Sequence, residues 1–377
     1  MVYSGFPEHN RGGLKVPQCP TPLVKNMKTL LAFSPAYTDA TSFYRSFGPL
    51  GELKRQYPEL NILKGEEVNW ATLAMVDGLF LQRPFSATHA QVIDMAQSNG
   101  KKIWIDYDDD LYSVPLGNRA YKIYHNQQTQ NNITTLVAKA DFVSVSTHQL
   151  KRRLCEILNK IKEKNVPGAK TNHDKVRVIP NAYNPNFCKY RGQVNQQRKI
   201  ITWRGSDTHD KDLLVYTSAL KQAFSTDLSW TMNLIGQPFW YTIEQIASIP
   251  EIKESNLIVT PALDPAEYWK MLYQTNPSLV FVPLWDCPFN RAKSNIAWIE
   301  GAHAGAGCLG PDWEEWRKPG ILNYKDPKDF YEKMLAVLKG EINTMKLYED
   351  GWQYIQENLL LEKINPLRKQ ILDEMWS

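Results

Sequence analysis

Between Pro283 and Glu300 the chain reads PLWDCPFNRAKSNIAWIE, a run that follows an apolar strand, turns through Pro288 and leads into a helix near Ser294. The first N–H groups of a helix have no intrahelical partner, and its dipole favours negative charge at that end. Lys293 adds a full positive charge there, and Ser294 is a candidate cap. With Asn290 and Asn295 beside them, these residues form a candidate seat for a diphosphate. Glu300 lies seven residues beyond Lys293, close to two turns along one helical face. A carboxylate there can accept two hydrogen bonds from a ribose diol. The glycine-rich GAHAGAG stretch from Gly301 then allows a backbone to approach a ligand closely. Taken alone, the segment is equally well explained as a capped strand–helix unit with Glu300 in solvent.

A second segment, from Ile200 to Asp212, is again strand, glycine turn and helix. Arg204 emerges at the strand end, suited to clamp a phosphate bidentately. Ser206 and the N–H of the Gly205 turn add donors, and His209 at the helix start can donate to a diphosphate or steady a ribose. A capped helix start with a surface Arg and His explains this segment by itself. Two such segments at strand-end loops of one domain favour a site.

The first half carries weaker signals. Ser34–Arg45 follows a strand and leads into a helix, with Ser42, Tyr44 and Arg45 expected at an acceptor-side surface; Arg83 ends another strand. Ile105–Leu111 closes a further strand with Asp108, Asp109 and Asp110. Clustered carboxylates raise one another's proton affinity, so one of them can be a general base, Asp108 and Asp109 being the catalytic candidates. Such a cluster can also bind Mg²⁺ or Mn²⁺ through oxygen. A capped turn with solvated charges is the commoner meaning, and no metal site is expected. His125, alone on a helical segment, reads as structural.

These loops need strands and helices to hold them. Short apolar runs alternate with helical stretches: Thr29–Phe33, Leu60–Leu63, Gly78–Leu81, Lys102–Ile105, Phe142–Val145 and Val176–Ile179 in the first half, then Lys199–Trp203, Thr231–Ile235, Leu257–Val259, Leu279–Val282 and Gly307–Leu309. Helices are predicted at Ala87–Ser98, His148–Lys164, Lys211–Ala223, Pro265–Gln274, Ser294–Ala304 and Pro327–Leu338. This is an α/β pattern of two doubly wound domains facing a cleft. The expected boundaries are 1–190 (with 1–26 a polar leader), 198–343, and a helical tail 344–377, the linker falling in Asn181–Gln197.

Composition narrows the class. A chain of 377 residues suits two domains, and 43% hydrophobic with 22% charged residues is the balance of a soluble globular protein. No apolar run is long enough for a membrane span. Five scattered cysteines without CxxC spacing fit a reducing cytoplasm rather than a disulfide framework or zinc site. A net charge of +4 permits a polyanionic partner without requiring one. None of this speaks to oligomeric state.

At Ser42–Arg45, Asp108–Leu111, Val178–Ala182, Trp203–Ser206 with His209, and Phe289–Ser294 through Glu300, the sequence resembles the GT-B glycosyltransferases grouped with family 4, in a divergent bacteriophage and bacterial form. The resemblance runs from about Thr29 to the C-terminal helix. It implies two Rossmann-like domains, with the last helix crossing back onto the first. It also implies a nucleotide-sugar co-substrate, a UDP-sugar above others, with no further cofactor required. Glu300 would hold the donor ribose, Lys293–Asn295 the diphosphate, and Arg204 would clamp the same group. Retention of anomeric configuration also follows from the resemblance. One departure stands out: the motif's earlier glutamate should fall at Ala292, and His209 replaces the lysine that assists the arginine.

The resulting reading is transfer of a sugar from a nucleotide diphosphate to an acceptor hydroxyl in the cytoplasm, that of a host cell if the chain is phage-encoded. The favoured acceptor is a hydroxymethylated pyrimidine of double-stranded phage DNA, flipped into the cleft, with Arg45, Arg83, Lys101 and Lys102 holding phosphates. The alternatives are a surface polysaccharide or small-molecule acceptor, and a non-catalytic nucleotide-sugar binder, which the missing glutamate at Ala292 favours.

Overall fold

The computed structural model describes residues 27–34, 39–65, 68–186, 198–226, 229–236, 244, 246 and 256–377. The polar leader, Cys19, Cys188 and the linker residues 187–197 lie outside them.

The first sheet comprises β1 (Thr29–Phe33), β2 (Asn61–Gly65), β3 (Gly78–Gln82), β4 (Lys102–Tyr107), β5 (Phe142–Val145) and β6 (Val176–Val178). The second comprises β7 (Arg198–Gly205), β8 (Thr231–Gly236), β9 (Leu257–Pro261), β10 (Pro277–Phe281), β11 (Gly307–Pro311) and β12 (Ile321–Tyr324). Every strand pair is parallel. Parallel neighbours need crossovers, and the intervening helices cover both faces, so β3, β10 and β11 are buried at every position.

The strand orders are β2-β1-β3-β4-β5-β6 and β12-β11-β10-β7-β8-β9. Each order reverses once, between β1 and β3 in the first sheet and between β7 and β10 in the second. Crevices open beyond the carboxyl ends of strands at such reversals. Arg204 and Gly205 end β7, and Val282 and Pro283 follow β10, so both sequence-predicted loops flank the second reversal.

Local chemistry sets the helix starts. Asp264 and Asp326 accept backbone N–H bonds ahead of helices that open with Pro265 and Pro327. The tail, expected as one helical stretch over 344–376, is two helices, Thr344–Asn358 and Leu361–Trp376. They are broken where Leu359 O accepts from Tyr183 N and Tyr183 O accepts from Leu361 N. The first packs on β11 beside Trp298 and Gly320. The second returns to the first sheet: Asn365 Nδ2 donates to Gln56 Oε1 at 2.9 Å, and Met375 packs against Gly78. Two doubly wound sheets with this returning helix form the GT-B architecture. Among the described residues no helix is long and apolar enough to cross a membrane.

Candidate active site

A cavity of about 400 Å³ lies between the carboxyl ends of the two sheets. From the second half, Arg204, Ser206, His209, Lys293, Ser294 and Glu300 line it; from the first half, Tyr44, Arg45, Arg83, Asp108 and Asp109 do so. Arg204, Ser206, His209, Lys293, Ser294 and Glu300, of those singled out for phosphate and ribose, therefore share one space.

The helical-face argument for Lys293 and Glu300 does not describe how this arises. The second-half helix runs over Ile296–His303, after a short turn of helix at Pro288–Arg291. Lys293 sits in the short connection between them, its N–H donating back to Asn290 O at 3.1 Å. Asn295, not Ser294, is at the cap position, and no side chain caps the helix. Ser294 Oγ instead accepts from Asn181 Nδ2 of the first half at 2.8 Å. The first helical N–H groups thus stay uncapped at Ile296 and Ala297, two residues of the cavity wall.

Glu300, only 3% exposed, is held from three sides. Its Oε1 accepts from Tyr44 Oη at 2.5 Å; its Oε2 accepts from Tyr268 Oη at 3.0 Å and pairs with Arg204 Nε at 2.7 Å. Tyr44 Oη in turn accepts from Trp269 Nε1 at 2.8 Å. Burial, reinforced by the Glu300 charge, pushes both tyrosines well above the usual phenol range, so both stay protonated donors. The proposed phosphate clamp and the proposed ribose acceptor are ion-paired with each other here.

Lys293 Nζ lies 3.3 Å from Asp109 Oδ1 and 4.4 Å from the centre of the Phe289 ring. Arg83, with a left-handed φ of 47°, turns its guanidinium onto Asp108 with bonds of 2.9 and 2.5 Å and reaches Asp109 at 3.3 Å. Burial pushes the Asp108 carboxyl up, Arg83 opposing and Asp109 adding to the rise. For Asp109 burial acts the same way, but Lys293, Arg83 and His209 outweigh it and hold the group below the usual range. Of the two, Asp108 is the stronger proton acceptor. Asp110 is buried outside the cavity and accepts from Tyr112 N. Among the described residues no three His, Cys, Asp or Glu side chains gather as metal ligands.

His209 Nδ1 is 2.9 Å from Asp212 Oδ2, while Asp212 Oδ1 accepts from Asn290 Nδ2 at 2.6 Å. Burial, with Lys293 repelling, lowers the imidazole pKa below its ordinary 6.5. With Asp212 Oδ2 as its hydrogen-bond acceptor a neutral ring keeps its proton on Nδ1, which leaves Nε2 an acceptor. The donation to a diphosphate expected of His209 therefore requires the imidazolium.

Several predicted residues are elsewhere engaged. The Ser42 side chain does not face the cavity: it is fully buried, with Oγ 2.6 Å from Ser34 Oγ and 3.1 Å from Gln82 Oε1. Arg45 touches the cavity but is 2% exposed, its guanidinium spent on Asp106 at 2.9 and 2.7 Å, Ile179 O and Asn181 Oδ1. Asn290 lies off the cavity, both amide hydrogens going to Asp212 and Trp285 O. Asn295 is also buried, donating to Glu315 O at 3.1 Å. Gly205 is not among the residues lining the cavity, and the Trp203 ring lies 2.6 Å from where a Cβ would stand on it. Lys101 and Lys102 sit at the amino end of β4, the far end of the sheet from the cleft. His125 stacks on Tyr121 with ring centres 4.4 Å apart. Sequence reasoning missed Tyr268, Trp269 and Asp212. The first two lie in an amphipathic helix whose aromatics read as core, and only the Asp at three residues from His209 offered a local signal.

No protein-family model and no curated protein sequence matches the chain. Solved structures do match in fold. A glycosyltransferase from Rickettsia africae ESF-5 superposes with a TM-score of 0.61 at 12% identity, over 93% of this chain and 99% of that one. Anabaena Alr3699/HepE, in complex with UDP and glucose, gives 0.62 at 9% identity, over 93% and 100%. The pneumococcal O-GlcNAc transferase GtfA, in complex with UDP and GlcNAc, gives 0.54 at 14% identity, over 81% of this chain and 59% of that one. At these identities the likeness establishes the shared GT-B fold.

Proposed function

We propose that the protein is a glycosyltransferase that takes a sugar from a nucleotide diphosphate donor, a UDP-sugar first among them. One observation carries the reading: Arg204, Lys293, the uncapped start of the Ile296–His303 helix and the Glu300 carboxylate all meet in one interdomain cavity. UDP in the complexes of Alr3699/HepE and GtfA supports the choice of nucleotide.

In the reaction the bond between the sugar's anomeric carbon and the diphosphate oxygen breaks, and a bond from the acceptor oxygen to that carbon forms. The acceptor proton passes to Asp108. The electron pair leaves on the diphosphate, which Arg204, Lys293 and the helix N–H groups stabilise by preorganised charge. Retention at the anomeric carbon belongs to the same proposal and requires the acceptor oxygen to attack on the face from which the diphosphate leaves, because a single displacement from the opposite face inverts. Ala292 is 1% exposed and packs with the first-half core, so its position offers no carboxylate to the sugar.

For the acceptor, the geometry favours a small-molecule or carbohydrate hydroxyl over hydroxymethylated DNA. Of the four basic residues expected to grip phosphates, Arg45 and Arg83 are committed to Asp106 and Asp108, and Lys101 and Lys102 lie at the wrong end of β4. A product-mass screen of UDP-, GDP- and dTDP-sugars against saccharides, water, and unmodified and hydroxymethylated duplex DNA tests the assignment. Sugar transfer or donor hydrolysis that drops at least about 10²-fold in Arg204→Ala is expected. Full activity in that variant, or none with any donor, overturns the reading; glucosylated DNA as the main product overturns the acceptor choice.

A further inference from the structure

The Glu300 carboxylate carries more donors than a ribose-binding carboxylate can keep. A carboxylate offers about four lone-pair positions, two on each oxygen. Oε2 faces two residues of the same half: it accepts from Tyr268 Oη at 3.0 Å and is ion-paired with Arg204 Nε at 2.7 Å. On Oε1 one position is taken by Tyr44, which belongs to the opposite half and to the helix Ala40–Arg45. A ribose diol brings two hydroxyls, and Oε1, the oxygen shared with the opposite half, has one open position. Among these donors Tyr44 is the one that reaches across the cleft. Its hydroxyl accepts from Trp269 Nε1 while donating to Glu300.

We infer that Tyr44 is a stand-in hydroxyl that competes with the donor ribose for Glu300 Oε1. It thereby sets how strongly the site distinguishes a ribonucleotide from a nucleotide lacking the diol. The inference rests on the donor reading above. In the wild-type protein one ribose hydroxyl can take the open position on Oε1, but the other gains a bond there only by displacing Tyr44, so the diol contributes less than two full bonds of affinity. Removing the tyrosine hydroxyl leaves a buried charged acceptor short of a donor, and the diol then contributes a second full charge-assisted bond.

The conservative variant Tyr44→Phe keeps the ring that packs against Phe43 and Trp269. Titration calorimetry with UDP and with 2′,3′-dideoxy-UDP on wild type, Tyr44→Phe and Tyr268→Phe separates the outcomes. Wild type should prefer UDP by no more than a few fold. Tyr44→Phe should bind UDP about tenfold more tightly while its affinity for the dideoxy compound changes little, so the preference widens about tenfold. Tyr268→Phe is the comparison for loss of a hydroxyl from the same half as Glu300. If the preference is equal in wild type and Tyr44→Phe, or widens as much in Tyr268→Phe, Tyr44 has no such role although the donor reading stands. If neither wild type nor Tyr44→Phe binds UDP, the donor reading and this inference fall together.

Discussion

Arg204 and Lys293 each face a carboxylate in the cavity, Glu300 and Asp109, at 2.7 and 3.3 Å. A diphosphate must therefore compete with protein carboxylates for both cations, which ties donor binding to rearrangement of charge pairs rather than to filling of free sites. His209 shows the same logic through protons. Burial and Lys293 hold its pKa below 6.5, and a polyanion close by raises it. Binding of a sugar nucleotide then takes up a proton in the window between the lowered value of the free protein and the raised value of the complex. UDP-glucose affinity should increase as pH falls from 7.5 towards 5.5, with net proton uptake measurable by calorimetry in buffers of different ionisation enthalpy. His209→Gln should flatten that dependence. UDP-glucose suits the test because it lacks the terminal phosphate monoester whose own titration near pH 6 would oppose the effect.

Among the elements, the end of β7 depends on its neighbour. Gly236 of β8 pairs with Gly205 and has φ of 120°, and a Cβ on it would stand 1.8 Å from Gly205 O. Only glycine fits. Gly236→Ala should cost at least roughly 1–3 kcal/mol, read as a lower melting temperature. It should also weaken donor binding, because the displaced Gly205 lies between Arg204 and Ser206. The elements themselves were legible in the sequence where short β-branched or apolar runs ended in glycine, proline or a capping residue; Phe142–Val145 and Pro327–Leu338 fall at the predicted bounds. β12 was not legible, because Ile321–Tyr324 is four residues long with Asn323 inside it and is defined by pairing with β11. The convergence of Arg204, Lys293 and Glu300 on one crevice follows from strand ends that the sequence marks. The ties that hold Glu300, from Tyr44, Tyr268 and Trp269, depend on three helices meeting across long sequence separations, which no local pattern encodes.

Across the whole molecule, the last helix joins what the two sheets leave apart. Leu361 is buried, and Ile364, Ile371, Leu372 and Met375 are buried in a core that also holds Leu30 and Phe80 of the first sheet and Val280 and Trp298 of the second half. Burying each such side chain contributes about 1.5–3 kcal/mol, so together they rival the roughly 5–15 kcal/mol net stability of a domain. A chain ending at residue 360 should therefore lose cooperative unfolding, seen as a broadened or absent calorimetric transition, and expose apolar surface to a hydrophobic dye. The cleft itself is bridged by Asn181 with Ser294, Thr147 with Ala292 O, and Asn118 with Thr208 O, which bring first-half side chains onto the donor loops. The cavity between those loops is the centre of the account, and a crystal structure of the UDP complex tests it most directly. The account predicts diphosphate oxygens within hydrogen-bond distance of both Arg204 and Lys293, and ribose hydroxyls on Glu300. A nucleotide bound elsewhere, or one in this cavity that leaves Arg204 and Lys293 untouched, would contradict it.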